Sequence, residues 1–233
     1  MNLTYESLER LRPTRPVDRL SWISEACRGA NVLDIGCYDE TALIKRSTEH
    51  WLHGRIAQTA RHVLGVDNSS KIPDGGIETG PNSRIVRGDG TRVPEAVGLN
   101  GPVDVIVAGE LIEHLPSPLG FMQGIKERFS GSRLIVSTPN GATFANTLMG
   151  AFGREVQHPD HLHNFTYKTL NTLCMRAGFR SWTIRPYRFY ATEMILNSRG
   201  GKRLAARAAE RLIRIVEWTF PLLCFGYIVD IDV

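Results

Sequence analysis

The 233-residue sequence carries 28 Lys and Arg against 24 Asp and Glu, a formal net charge of +4, with 42% hydrophobic and 22% charged residues. That length suits one domain with a sizeable core, and the composition excludes a disordered or fibrous chain. The small basic excess permits an anionic partner without requiring one, and four widely spaced cysteines (Cys27, Cys37, Cys174, Cys224) exclude a local zinc knuckle or disulfide framework.

Short Val, Ile and Leu runs recur along the chain: NVLDIG (31–36), HVLGVD (62–67), RIVRGD (84–89), VDVIVAG (103–109) and RLIVSTP (133–139). Runs without polar alternation predict strands covered on both faces, as in a parallel sheet between helical layers. Helical stretches fall between them: 40–60, LIEHLPSPLGFMQGIKERF (111–129) and TYKTLNTLCMRAGF (166–179). The last has Thr166 placed as N-cap and Gly178 as C-terminal stop. SWTIRPYRFY (181–190) and CFGYIVDIDV (224–233) are two further strand candidates, separated by a helical insert within about 191–218. The alternation predicts an α/β, Rossmann-like doubly wound sheet of seven strands, mostly parallel with an antiparallel C-terminal strand. The whole of 1–233 reads as one domain, with 1–29 and about 191–218 as additions on the substrate side. The N-terminal segment lacks the apolar core of a signal peptide, and TFPLLCFGYIV is too short to span a bilayer and contains Pro221. A cytoplasmic protein with reduced thiols is the expectation.

Polar residues cluster at the carboxyl ends of these strands, where doubly wound sheets bind ligands. GELIEHL (109–115) sets Glu110, Glu113 and His114 within five positions, and helical spacings of three and four predict that they converge on one face. In VLDIGCYDE, Gly36 follows the first strand and permits close backbone approach to a ligand. A dinucleotide-binding turn would need several glycines here, and Glu40 near the turn would repel a pyrophosphate. Asp67 and Asp89 close the second and third strands. Each acid taken alone also reads as a turn or cap residue.

As an ordered set, VLDIG, LGVDNSS, VRGDGTRVP and GELIEHL resemble the class I S-adenosylmethionine-dependent methyltransferases over roughly residues 30–190. The resemblance implies S-adenosylmethionine as cofactor, held by Asp34, Gly36, Cys37, Tyr38, Asp67, Asn68, Asp89, Gly90 and Glu110. Asp67 would take the ribose hydroxyls and Asp89 the adenine amino group. The chain departs from the family's D-x-G-x-G-x-G loop at Tyr38 and Glu40. E-x-x-E-H after the fourth strand, with DHLHNFT (160–166), is similar to metal-assisted O-methyltransferases, among them those that act on plant small RNAs. That pattern implies a divalent cation (Mg, Mn, Fe or Zn) on Glu110, Glu113, His114 and His161. The same motif also occurs in relatives that use no metal, where the histidine is a general base or only packs.

Two uses of Glu113, His114 and His161 in catalysis therefore stand side by side: metal-assisted and acid/base. Either serves O-methylation of a small-molecule hydroxyl on a metabolite, sugar or lipid-linked acceptor. The alternatives are 2′-O-methylation of RNA or other nucleic acid, and a protein that binds S-adenosylmethionine without turnover. A nucleic-acid partner is not expected, because the arginines are dispersed. His158 and His163 read as loop residues shaping a lid, and His50, His53 and His62 as surface. In GKRLAARAAERLIRIVEW (201–218), Arg203, Arg207, Arg211 and Arg214 form one helical stripe and Leu204, Ala208, Leu212 and Ile215 an adjacent apolar one. Peripheral membrane contact through 202–218 is one use of such a helix. The preferred expectation is that the apolar stripe docks on the sheet and the arginines face water.

Overall fold

The computed structural model describes residues 9–38, 45, 48–90 and 101–233. Its strands are β1 Asn31–Ile35, β2 His62–Asp67, β3 Ile77–Gly80, β4 Ser83–Arg87, β5 Val105–Gly109, β6 Arg133–Pro139, β7 Ser181–Tyr187 and β8 Gly226–Asp232. They form one sheet in the order β3-β4-β2-β1-β5-β6-β8-β7. The pairs β4–β2, β2–β1, β1–β5 and β5–β6 are parallel, while β8 runs antiparallel to both β6 and β7. The doubly wound α/β sheet expected from the alternating pattern is therefore present. It carries one strand more than expected: β3, antiparallel to β4 across a tight turn. IETG is short, polar and only partly covered, so it offers no apolar run to read.

Side chains of alternate strand residues project to opposite faces. Leu33, Ile35, Leu64, Ile106, Ala108, Leu134 and Val136 face one layer, built from α3 (Pro118–Arg128) and α5 (Tyr167–Ala177). Val32, Val63, Val105, Val107 and Ile135 face the other, built from α1 (Arg19–Ala26) and α2 (Leu52–Ala57). Both faces are apolar, as a sheet buried on both sides requires. Thr166 caps α5 through the Thr169 N–H, and Gly178 closes it with φ +81° in the left-handed region, as the sequence predicts.

The N-terminal segment completes the far edge: Val17 bridges Tyr187, with its N–H donating to the Pro186 carbonyl at 3.0 Å. The remaining helices are α4 (Phe144–Gly150), α6 (Thr192–Leu196) and α7 (Gly200–Thr219). No helix among the described residues is long and apolar enough to cross a membrane. All four cysteines are unpaired.

The expected docking of α7 is reversed. Ala206 and Glu217 are its buried residues, whereas Leu204, Leu212 and Ile215 are 71, 63 and 63% exposed. The periodicity gives the two stripes correctly but not which of them meets the protein. Glu217 accepts the Phe189 N–H at 2.9 Å, and Arg214 donates to the Phe189 carbonyl at 3.1 Å. Polar anchors, not the leucines, hold this helix down.

Candidate active site

β1 and β5 lie side by side, and the chain leaves them in opposite directions along the sheet. The crevice above their carboxyl ends is bounded by the turn after β1 and the turn after β5. Gly36 makes the first turn with φ +73°, its N–H donating to the Val66 carbonyl at 2.8 Å. A Cβ there would sit 2.9 Å from Cδ1 of Leu111, which arrives from the second turn. The left-handed conformation favours glycine, and any larger residue would also have to displace the Leu111 side chain.

Asp67 ends β2, nearly buried. Its Oδ2 accepts the Tyr38 N–H and its Oδ1 the Ser69 N–H, each at 2.9 Å. Through both oxygens Asp67 ties the turn after β1 to the end of β2. Asn68 and Asp89 are exposed beside it, and Gly90 packs on Ile35. Tyr38 turns its ring into a small core with Trp51, Ile72 and Ile85, which leaves only its backbone for the crevice. Burial, with Asp34 and Asp67 nearby, pushes the Cys37 thiol well above its ordinary range, so it stays a neutral group. Glu40 lies outside the described residues, as does most of 40–47.

Asp34 differs from the expectation. Strand alternation puts it on the α2 side of the sheet, where its Oδ2 meets His53 Nδ1 at 2.9 Å, and His53 Nε2 reaches the Thr79 hydroxyl at 3.0 Å. His53 was expected at the surface and is instead 1% exposed. The space comes from Gly65 on β2: a Cβ there would fall 3.0 Å from His53 Cε1 and 2.6 Å from Cys37 Sγ. Asp34 thus braces the loop from beneath. A buried carboxylate needs such a partner.

Beyond β5 the chain does not start the long helix that would align Glu110 with Glu113 and His114. Glu110 takes φ +54°, the only left-handed non-glycine among the described residues. That backbone is strained by about 1–2 kcal/mol for an L-residue. Its N–H donates to the Ser137 carbonyl at 2.8 Å, and its Oε1 accepts the Tyr187 hydroxyl at 2.8 Å. Arg19 lies 3.6 Å from Oε2 and donates through Nε to the Ser137 hydroxyl. Burial and the Glu110 carboxylate push the Tyr187 phenol well above its ordinary range, which keeps it a donor. Glu110 is therefore drawn toward α1 and β7.

Ile112–His114 form a single 3₁₀ turn, and α3 starts afresh with Ser117 capping the Gly120 N–H. Glu113 is 1% exposed, and among the described residues neither carboxylate oxygen has a hydrogen bond of good geometry, with the buried Thr138 hydroxyl the nearest candidate. Burial, then the nearby Glu110, pushes its carboxyl up to about 8. Its carbonyl accepts the N–H groups of Leu162 and His163, at 2.8 and 3.1 Å, which folds the DHLHNFT segment over the turn. His161 thereby comes to 4.7 Å from His114, ring to ring. One ligand atom each from Glu113, His114 and His161 lie within 4.8 Å of one another. Three of the four expected donors are together and Glu110 stands apart. His114 Nδ1 faces the Asp160 carbonyl at 3.2 Å, so a proton donated there leaves Nε2 free to accept. Burial, with His114 and His158 close by, lowers the pKa of His161.

Three residues near this centre were given no part in it by the sequence. Arg19 and Tyr187 fix Glu110, and His158, assigned to a lid, lies 5.4 Å from His161 and 6.0 Å from His114. Tyr187 sits at a strand end, the one signal that marks it.

A family model for a methyltransferase domain matches residues 5–184. No curated protein matches the sequence. An S-adenosylmethionine-dependent methyltransferase from Archaeoglobus fulgidus superposes with a TM-score of 0.55 at 16% identity, over 91% of this chain and 90% of that one. The small RNA methyltransferase HEN1 gives 0.56 at 16% identity, over 96% of this chain and 26% of that one. The magnesium protoporphyrin IX methyltransferase ChlM of Synechocystis, solved with S-adenosylhomocysteine bound, gives 0.51 at 15% identity, over 91 and 78%. At such identities the likeness is one of fold.

Proposed function

The chain belongs to the methyltransferase-domain family and has the class I S-adenosylmethionine-dependent fold, and from that premise we propose that it methylates a hydroxyl of a small-molecule acceptor. The observation that carries this reading is the buried Glu113 carboxyl beside His114 and His161. A centre of that kind has an acid and two imidazoles facing one point, which suits deprotonation of a hydroxyl. S-adenosylmethionine supplies an already activated methyl group, so the protein's work is positioning and control of the acceptor's proton.

The Gly36 turn, Asp67, Asn68, Asp89 and Gly90 line the cofactor side. Asp67 holds the loop at the end of β2, the strand end where the family's acid meets the ribose. His114 Nε2 takes the acceptor proton while Nδ1–H stays on the Asp160 carbonyl. His161, with its lowered pKa, is a neutral second acceptor.

Glu113, His114 and His161 also fit a divalent cation: their donor set mixes oxygen and nitrogen, and no well-formed hydrogen bond among the described residues occupies the Glu113 carboxylate. A cation bound there would lower the pKa of the acceptor hydroxyl. Glu110, engaged by Tyr187 and Arg19, is not counted among the ligands. A second reading, 2′-O-methylation of an RNA terminus, draws support from the placement of His161 against His114 by DHLHNFT, the segment that resembles the small-RNA enzymes.

The test is turnover of S-adenosylmethionine with hydroxylated small molecules and with RNA termini, before and after chelation. Loss on chelation and recovery with Mn²⁺ or Mg²⁺ supports the cation. Activity that survives chelation but not His114→Ala supports the base alone. Full activity in both cases removes the cluster from the chemistry.

A further inference from the structure

The expectation that the apolar stripe of α7 packs on the sheet fails in a specific way. At about 100° per residue, Leu204, Ala208, Leu212 and Ile215 lie almost diametrically opposite the buried Ala206 and Glu217. The most outward face of this helix is thus its most apolar one, with the three large side chains between 63 and 71% exposed. A surface helix ordinarily turns that face inward, and a contiguous exposed apolar patch marks a contact site.

The patch has a charged border on one side. Arg203, Arg207 and Arg211, all exposed, follow the stripe along one flank and border an open cavity of about 650 Å³ between α7 and α1, which Asp18, Glu49 and Glu210 also line. Among the described residues none of these three has an ion pair, whereas Arg214, next in the row, is held by Glu210 at 2.7 Å. At the carboxyl end of α7 stands Trp218, 58% exposed, with Arg15 above its ring at 5.1 Å. Phe220, also 58% exposed, follows it.

We propose that α7 lies flat on an anionic lipid bilayer, with Leu204, Leu212 and Ile215 in the acyl boundary and Arg203, Arg207 and Arg211 on the headgroups. An interfacial helix combines an apolar stripe, a cationic flank and an aromatic residue at the water boundary. All three are present along α7. An antiparallel second copy is disfavoured, because pairing through this stripe sets both arginine rows on the same edge, where like charges repel. An acidic headgroup layer complements the row instead. The proposal is independent of the methyl acceptor.

Co-sedimentation of the full chain with phosphatidylcholine vesicles, with and without phosphatidylglycerol as a third of the lipid, tests it. Partition at least tenfold stronger onto the anionic vesicles, weakened by salt, is expected. Arg207→Glu with Arg211→Glu should remove most of it, and Leu212→Asp should do so without a change in the far-side charges. All three positions are exposed, so thermal melts of the variants should match the wild type. No sedimentation, or equal partition onto neutral and anionic vesicles, overturns the proposal. So does a dimer in solution that Leu212→Asp dissociates, since the face then belongs to a second copy.

Discussion

Glu113→Gln should flatten the pH dependence of stability across the neutral range. In the folded chain the Glu113 carboxyl is pushed from 4.5 up to about 8, first by burial and then by Glu110. Below the lower value both states hold the proton and nothing is lost. Between the two the unfolded chain releases the proton while the folded chain keeps it, so stability falls as pH rises. Above the higher value both are ionised and the loss is complete. At about 1.4 kcal/mol per pKa unit the ceiling is about 5 kcal/mol, and relaxation around the charge reduces it to about 2–4 kcal/mol. Thermal unfolding in chelator at about pH 5 and about pH 8.5 reads the loss, which corresponds to roughly 4–16 °C of Tm in a domain of this size. The wild type should lose that much more than Glu113→Gln over the interval. Comparing the two pH values within each protein cancels the fixed cost of a buried amide. Adding Mn²⁺ at the higher pH should restore the wild type and leave the variant unchanged, because a cation bound to the carboxylate offsets its burial. Parallel pH profiles for the two proteins would refute the reasoning.

Gly36→Ala forces an L-residue to φ +73° and drives its methyl group onto Leu111, so a Tm loss equivalent to about 1–3 kcal/mol and weaker cofactor binding should follow together. Glu217→Gln should stabilise the protein at alkaline but not at acid pH. Burial pushes the Glu217 carboxyl up to about 7, so its ionisation weakens the fold progressively between its ordinary value and neutrality. The amide still accepts the Phe189 N–H, and a gain of about 1–2 kcal/mol at about pH 8.5, absent near pH 4, is the expected result of chemical denaturation.

The strands were legible because each is an apolar run ended by a turn residue, and the α5 caps because Thr166 and Gly178 act locally. β3 was not, since IETG pairs through its backbone and stays half exposed. His53 shows a different limit. Its burial depends on Gly65 and Asp34, residues on two other elements, and only the strand period that turns Asp34 inward hints that a partner is needed. Glu110 looked helical because GELIEHL has helical spacing. Its left-handed backbone is imposed by Ser137, Tyr187 and Arg19, which lie 27 to 91 residues away in the chain. The two stripes of α7 were read correctly from their spacing. Which one docks was decided by Glu217 and Arg214 meeting the Phe189 backbone, a contact without a periodic signature.

The central claim is that the crevice between the Gly36 turn and Asp67 holds S-adenosylmethionine, and calorimetric titration measures it directly. The wild type should bind, and Asp67→Ala should bind at least tenfold more weakly, about 1.4 kcal/mol. Asp67→Asn keeps an acceptor for the Tyr38 N–H and gives up the one for Ser69, so its Tm should fall less than that of Asp67→Ala while affinity is still lost, which separates ribose contact from loop support. Wild-type protein that takes up no S-adenosylmethionine, or an Asp67→Ala variant that binds it as tightly as the wild type, would contradict the account.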